Sequence, residues 1–169
     1  TTDYIFVVDV DPSGVFKLRW ASDNLFRMTG RTIEEAATSD TWGNIIHPDD
    51  LIRFFGFIDR ILSTAEAGEL ECRTLLKKAG ERWVRIFARP QVNEENTVKT
   101  IVGASQDITE RRQAEESLRV AEADYRAIFE GAPLGIFQST VDGRFLKVNQ
   151  AMAEMYGYAS SREMVADVK

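Results

Sequence analysis

Side chains with reactive chemistry are scarce in this sequence. It contains one histidine, His47, and one cysteine, Cys72. A single histidine excludes zinc motifs that need two, and a single cysteine excludes an internal disulfide and a multi-cysteine zinc site. A Ser-His-Asp triad would depend on His47, and the sequence has no glycine-rich phosphate loop. We therefore predict no catalytic residues and no metal site, and a regulatory role instead of an enzymatic one.

Both residues have a structural interpretation. His47 precedes Pro48, Asp49 and Asp50, which favour the start of a helix because proline suits the first turn and aspartate complements the helix dipole. We expect the imidazole to hydrogen-bond this loop. Cys72 lies in a predicted strand, where we expect a small core side chain.

A third candidate group consists of Asp107, Thr109 and Glu110, which could be interpreted as an acidic cluster. The same spacing suits the junction between a strand and a helix. There Asp107 or Thr109 would accept hydrogen bonds from backbone N–H groups. We predict such a cap, and we expect it to act as a hinge as well.

Aromatic and cationic side chains alternate along one predicted strand. Trp83 and Phe87 share a face with Arg85 and Arg89, a pattern that could stack on nucleic acid. The chain carries 21 Lys and Arg against 27 Asp and Glu, a net charge of −6. This acidic balance argues against nucleic-acid binding, since phosphates are held mainly by Lys and Arg. We expect the face to pack against a linker helix or a partner chain.

The composition indicates a globular chain of one complete domain and part of another. It has 169 residues, of which 44% are hydrophobic and 28% are charged. No apolar run approaches the ~20 residues that span a bilayer, and no signal peptide is visible. Because the chain starts at Thr1, we expect it to be part of a longer protein. We predict a cytoplasmic location for this part, with no membrane contact, while the parent protein could be membrane-anchored.

The order of predicted elements indicates an α+β fold. The predicted strands cover 4–10, 15–21, 69–77, 82–92 and 97–106. A short helix follows Ser22, and a longer helix with one apolar stripe follows His47 and ends before Gly68. Hairpins at both ends of this region favour an antiparallel sheet with helices packed on one face.

A helix is predicted after Thr109, since no Gly or Pro occurs until Gly131. Apolar residues recur along it at spacings of three and four, as in a short heptad seam. The seam consists of Ala114, Leu118, Ala121, Tyr125 and Ile128. It could pair two chains, or it could lie on the sheet of its own domain.

The sequence then repeats itself. Residues 149–158 align with 22–31 at an offset of 127, and 134–148 again read as strand, Asp-Gly turn and strand. The second copy stops before a long helix or three further strands. We predict a complete domain at 1–109, a linker helix at 110–128 and the front part of a second domain at 129–169.

These patterns resemble a PAS domain with its C-terminal PAC portion. Three runs carry the resemblance: Ile46-His47-Pro48-Asp49-Asp50, Gly80-Glu81-Arg82-Trp83-Val84, and Val102 to Arg112. The resemblance covers 3–112 and, as a front half, 125–169. Ala79 departs from the Asp that the family usually has there. Ser22 departs from a frequent Asn, which the second copy has at Asn149.

The resemblance implies a five-stranded antiparallel sheet with short helices on one face, a pocket between them, and a linker helix. The implied pocket candidates are Phe6, Val8, Leu18, Trp20, Leu25, Met28, Phe54, Phe55, Ile58, Thr74, Val84, Ile86, Ile101, Gly103 and Ser105. Most are large, which favours a filled core over a roomy cavity; Thr74 and Ser105 are the polar candidates. Haem is not expected, because His47 precedes the long helix, and neither is flavin photochemistry, because 40–45 lack cysteine. The cofactor, if any, stays open.

The resemblance also implies a sensory module of a bacterial signalling protein, most often a multidomain sensor histidine kinase. Asp107, Ile108 and Thr109 would transfer a ligand- or partner-induced change into the linker helix. Alternatives are a ligand-free dimerisation module, or the sensor of a diguanylate cyclase or phosphodiesterase. The expected partners are a second copy, bound through the linker helix and outer sheet face, an output domain in the same chain, and a small molecule.

Overall fold

The computed structural model describes residues 3–36, 43–76 and 79–168. The chain divides into two compact units, Thr1–Arg112 and Gln113–Lys169. We call these the first and second units.

The first unit is built on a five-stranded antiparallel sheet. Its strands are β1 (Tyr4–Val10), β2 (Phe16–Ala21), β3 (Gly68–Leu76), β4 (Gly80–Val92) and β5 (Val98–Asp107). Their order across the sheet is β2-β1-β5-β4-β3, and every neighbouring pair is antiparallel. The last strand of this sheet, β5, therefore lies in its middle, between β1 and β4. The predicted α+β fold is confirmed.

Along the chain, helices connect β2 to β3. Those within the described residues are α1 (Asn24–Thr29), a 3-10 helix (Pro48–Asp50) and α2 (Leu51–Thr64). The apolar stripe of α2 packs on the sheet and buries Phe54 and Ile61, together with Phe57, whereas Phe55 is half exposed. It ends at Thr64 because Ala65 adopts a left-handed φ of 54°.

The core of the first unit lies on one face of the sheet. Alternate residues of β4 point into it, so that Val84 and Ala88 are buried, whereas Phe87 and Arg89 are exposed, as predicted. Cys72 is fully buried, and burial raises the pKa of its thiol to about 12. The thiol therefore stays protonated and inert, which confirms a core role.

A bulge in β2 overturns one prediction. Strict alternation places Trp20 on the same face as Leu18, inside the pocket. The pairing register shifts, however, because Val7 faces Trp20 and Val8 faces Leu18, which leaves Arg19 as an extra residue. The extra residue reverses the alternation. Leu18 is buried, whereas Trp20 is 49% exposed on the outer face.

The long helix α3 (Thr109–Gly131) begins at the predicted junction and continues into the second unit. The second unit adds β6 (Phe137–Ser139), β7 (Phe145–Val148), α4 (Gln150–Met155) and α5 (Ser161–Asp167). The two strands form a hairpin, and Val148, Met152, Ala153 and Met164 form a small core beside it.

The predicted helix seam is solvent-exposed. Leu118, Tyr125 and Ile128 are at least half exposed, and Ala114 and Ala121 are exposed as well. The described segments contain no helix that combines the length and the apolar character needed to cross a membrane.

Candidate functional site

A cavity of about 490 Å³ separates the inner face of the sheet from α2 in the first unit. Strands β1, β4 and β5 form its floor, α2 forms its roof, and the turn between β1 and β2 forms part of its rim. The residues that line it are Tyr4, Phe6, Val8, Ser13, Gly14, Val15, Phe16, Phe54, Phe55, Phe57, Ile58, Asp59, Leu62, Ile86, Ala88, Ile101 and Ser105. The lining is mostly apolar, and its size suits a small organic molecule.

The structure brings part of the predicted pocket together. The candidates that line the cavity are Phe6, Val8, Phe54, Phe55, Ile58, Ile86, Ile101 and Ser105. The candidates outside its lining are Leu18, Leu25, Met28, Thr74, Val84, Gly103 and Trp20. Of these, all except Trp20 are buried elsewhere in the unit. The Thr74 hydroxyl donates to the Arg82 carbonyl at 3.2 Å, so its polar atom is already paired.

Sequence reasoning missed other residues of the lining. Tyr4 shares its strand face with Phe6 and Val8, and Phe57 follows Phe54 by one helical step, so both periodicities could have identified them. The turn residues Ser13 to Phe16 carried no such signal, because only the folded hairpin brings them over the cavity.

The expectation of a filled core is wrong. Trp20 contributes no volume inside, because the bulge turns it outward. The floor also contains the small residue Ala88, whose cross-strand partner Gly103 lies next to the Phe6 ring. Gly103 has no room for a side chain, since the Phe6 ring and the Phe87 carbonyl would collide with a Cβ atom there. The Phe6 ring thus lies directly over Gly103.

Two polar side chains of the wall face each other across β1 and β5. Tyr4 pairs with Ser105 in the strand register, and burial raises the pKa of the Tyr4 phenol to about 12, with the Ser105 hydroxyl acting in the opposite direction. The phenol is therefore neutral near pH 7. The pair offers hydrogen-bonding groups on the floor of the cavity, whereas the other polar lining residues, Ser13 and Asp59, lie on the turn and on α2.

The roof helix is tied to β3 at its start. The Asp50 carboxylate, 5% exposed, accepts hydrogen bonds from the backbone N–H and the Nε of Arg73 at 2.8 and 2.9 Å. The guanidinium holds the pKa of Asp50 below its ordinary value, chiefly through these side-chain hydrogen bonds. His47 Nδ1 accepts from the Asp49 N–H at 3.2 Å, which confirms its predicted role at the helix start.

The junction between β5 and α3 is capped as predicted. Asp107 Oδ1 accepts from the Thr109 N–H at 2.9 Å. Thr109 Oγ1 accepts from the Trp83 N–H at 2.9 Å, and the Ile108 N–H donates to the Trp83 carbonyl at 2.9 Å. Both backbone groups of Trp83 thus hold the first residues of the helix.

An ionic cluster fixes the same turn from the outer face of the sheet. Glu71 of β3 accepts hydrogen bonds from Arg85 of β4 and from Arg112 of α3, and an Arg111 nitrogen lies 3.3 Å from its carboxylate. Arg112, followed by Arg85, holds the pKa of Glu71 below its ordinary value through these hydrogen bonds. The Arg112 guanidinium also lies 3.8 Å from the centroid of the Trp83 ring.

The described residues contain no cluster of three side chains able to hold a metal ion. What the first unit presents is an apolar cavity under a helix, with a capped second helix leaving the sheet. That arrangement defines a small α+β domain with an internal cavity.

The comparisons with known proteins identify the family. A family model described as PAS fold matches residues 18–105, and a second, described as PAS domain, matches 123–168. The chain belongs to the PAS family, as its motifs predicted. An uncharacterized protein of Sinorhizobium fredii, y4lL, is 32% identical over 136 residues. That stretch covers 79% of this chain but only 16% of that protein.

Solved structures confirm the fold. The N-terminal domain of a diguanylate cyclase with PAS/PAC sensor from Marinobacter aquaeolei matches with a TM-score of 0.58 and 14% identity, covering 65% of this chain and 98% of that one. A sensory box histidine kinase/response regulator from Burkholderia thailandensis matches with a TM-score of 0.56 and 23% identity, covering 74% and 91%. At these identities the likeness concerns the fold.

Proposed function

We propose that this chain is a sensory module whose first unit binds a small, mainly apolar molecule and passes the change to α3. The observation that carries the proposal is the position of Ser105. It lines the cavity and lies on β5 two residues before Asp107, which caps α3. A ligand that displaces Ser105 or its partner Tyr4 would therefore act on the strand from which the helix begins.

The parent protein, in this proposal, is a bacterial sensor histidine kinase. Support comes from the histidine kinase and the diguanylate cyclase whose PAS domains share the fold, and from a much longer bacterial relative. A diguanylate cyclase or phosphodiesterase is the alternative output. The identity of the output domain decides only what α3 acts on.

Native mass spectrometry of the purified chain tests the binding step. We expect a retained molecule, or binding of added indole, an apolar probe with one hydrogen-bond donor. Ala88→Phe should abolish the added mass because it fills the floor of the cavity. Ala104→Phe is the matched control, since Ala104 pairs with Ile5 and Phe87 on the outer face. Equal binding by both variants would refute a ligand in this cavity.

Hydrogen–deuterium exchange tests the transfer step. Indole should change the exchange rate of the amides at the start of α3 in the wild-type chain. In Asp107→Ala, indole should still bind but should leave these amides unchanged, because the cap to Thr109 is lost. An unaltered response in Asp107→Ala would show that the cap does not carry the signal.

The second candidate is a dimerisation module without a small ligand. Exposed apolar side chains on the outer sheet face favour it: Ile5 is 52%, Trp20 49% and Phe87 39% exposed. A second copy would cover this face and pair along the α3 seam. Sedimentation equilibrium should show a dimer that weakens in Trp20→Ser and Ile128→Glu. A wild-type monomer at high concentration would oppose this candidate.

A further inference from the structure

The indole ring of Trp83 lies beside two arginines that belong to different parts of the first unit. The guanidinium carbon of Arg112, in the first turn of α3, is 3.8 Å from the ring centroid. The guanidinium carbon of Arg73, its direct cross-strand partner on β3, is 5.7 Å from it. Both distances fall within the range in which a cation is attracted to an aromatic ring.

On one side, Arg73 connects this ring to the roof of the cavity. Its side chain, 23% exposed, bonds to Asp50 through Nε and Nη2 and lies 3.2 Å from Asp49. These two aspartates immediately precede α2, which carries Phe54, Phe57 and Ile58 over the cavity. A shift of the α2 start therefore moves the Arg73 guanidinium.

On the other side, Arg112 is held in place by two groups. The Glu71 carboxylate accepts its hydrogen bond, and the Trp83 ring packs against its guanidinium. A planar guanidinium can do both at once, which a lysine ammonium does less well. The position of the Trp83 ring therefore bears directly on the first turn of α3.

We propose that the Trp83 side chain couples the start of α2 to the start of α3 through its contacts with Arg73 and Arg112. This connection is separate from Ser105, β5 and the Asp107 cap. The roof of the cavity thus has its own route to the linker helix, through Asp50, Arg73, Trp83 and Arg112. The proposal holds whether the cavity binds a ligand or stays empty.

The backbone of Trp83 makes a clean test feasible. Its N–H and carbonyl hold Thr109 and Ile108 in any variant that keeps the β4 backbone in place. Trp83→Leu therefore removes the ring from the path while leaving the cap of α3 intact. An effect of the side chain can be separated from an effect of the fold.

The experiment is a double-mutant cycle in the full chain, with hydrogen exchange of the first turn of α3 as readout. Asp50→Asn releases Arg73 and should raise the exchange rate of these amides roughly three- to fivefold, as expected for one lost cation–ring contact. In the Trp83→Leu background, Asp50→Asn should add no further change. Glu66→Gln, just beyond the end of α2, exposed and outside the cavity lining, is the matched control and should have no effect in either background.

Two outcomes would overturn the proposal. Asp50→Asn could leave the first turn of α3 unchanged, or it could accelerate exchange equally with and without the indole ring. If Asp50→Asn unfolds β3, as its own amides would report, Arg73→Lys replaces it. That variant keeps the charge facing Asp50 but loses the planar contact with Trp83, and the same pair of predictions applies.

Discussion

The two PAS copies of this chain solve one structural problem with different residues. In the first unit, the Ser22 N–H donates to the Ile5 carbonyl, and Ser22 Oγ accepts from the Ile5 N–H at 3.2 Å. In the second unit, the Asn149 N–H donates to the Ile136 carbonyl, and Asn149 Oδ1 accepts from the Ile136 N–H at 2.8 Å. Both residues thus close the hairpin that precedes a short helix.

The copies differ in which side chain donates hydrogen bonds to the neighbouring backbone carbonyls. The Asn149 amide donates to the carbonyls of Leu134 and Phe129, both at 2.9 Å. In the first unit, serine has no amide, and Asn24 donates to the Asp3 carbonyl at 2.9 Å instead. In the first unit, two side chains therefore make the kinds of hydrogen bond that a single, fully buried asparagine makes in the second unit.

The difference shows that a departure from a family motif can be compensated two residues away. Asn149 should also contribute more to the stability of its unit than Ser22 does, because its hydrogen bond to the Phe129 carbonyl also holds the last turns of α3. In addition, β1 pairs with β2 and β5, whereas β6 pairs only with β7 in the described chain. The hairpin of the second unit is therefore stabilised by fewer strand-to-strand hydrogen bonds than the hairpin of the first unit.

The largest expected effect is at Asn149. Asn149→Ala leaves two N–H groups and two carbonyls without partners in a buried site, which costs about 3–5 kcal/mol of the free energy of unfolding of the second unit. Ser22→Ala should cost the first unit about 1 kcal/mol. Urea titration followed by hydrogen exchange of peptides from each unit measures both. Equal losses would contradict the comparison.

The next effect contrasts two glycines. Gly103→Ala should destabilise the first unit by about 1–3 kcal/mol, because its Cβ meets the backbone carbonyl of Phe87 as well as the Phe6 ring. Gly135→Ala in the second unit chiefly meets the flexible Met152 side chain and should cost less. The same urea titration ranks the two, and a larger loss for Gly135→Ala would reverse the interpretation.

A smaller effect concerns pH. Asp50 and Glu71 have pKa values below their ordinary 3.8 and 4.5, so they stabilise the first unit fully above those values. This stability is lost as the pH falls through their folded pKa values, by about 1 kcal/mol each after screening by water. In the second unit, Glu116 and Asp142 also have lowered pKa values but are exposed.

Urea titrations at pH 7 and at pH 3 should therefore show the larger loss in the first unit. Asp50→Asn should flatten the pH dependence of that unit, because its side chain no longer titrates. A pH dependence of equal size in both units, or one that persists unchanged in Asp50→Asn, would contradict this assignment.

The smallest expected effect concerns the two residues, Ser22 and Asn24, that together replace Asn149 in the first unit. Asn24→Ala should cost the first unit about 1 kcal/mol, since the Asp3 carbonyl loses its donor. Adding Ser22→Asn should restore part of that loss by supplying the amide from the position that Asn149 has in the other copy. Chemical denaturation of the single and double variants measures it, and a double variant weaker than Asn24→Ala alone would show that the two sites are not equivalent.

Much of the fold was predictable from the sequence because its signals are local. The strand alternation of Val84 and Ala88, the helix start at His47 and the cap of Asp107 on Thr109 each depend on residues within a few positions. Such patterns report the backbone geometry that they favour wherever they occur. The PAS family followed from their order along the chain.

The candidate site was predictable only in part. Phe54, Ile58 and Ser105 were identified because helical and strand periodicity places them on the inner faces. Trp20 was placed wrongly, because a single extra residue in β2 reverses every side chain beyond it. No local pattern marks that bulge, which is set by pairing with β1.

By itself, the sequence determined the elements, their order, the repeat and the family, since these follow from short-range spacing and residue type. The tertiary structure alone decided the cavity and the contacts around Trp83. Glu71 and Arg112 lie 41 positions apart, and Asp50 and Arg73 lie 23 apart. Strand register and packing bring these charges together, and register is a property of paired strands that no single segment specifies.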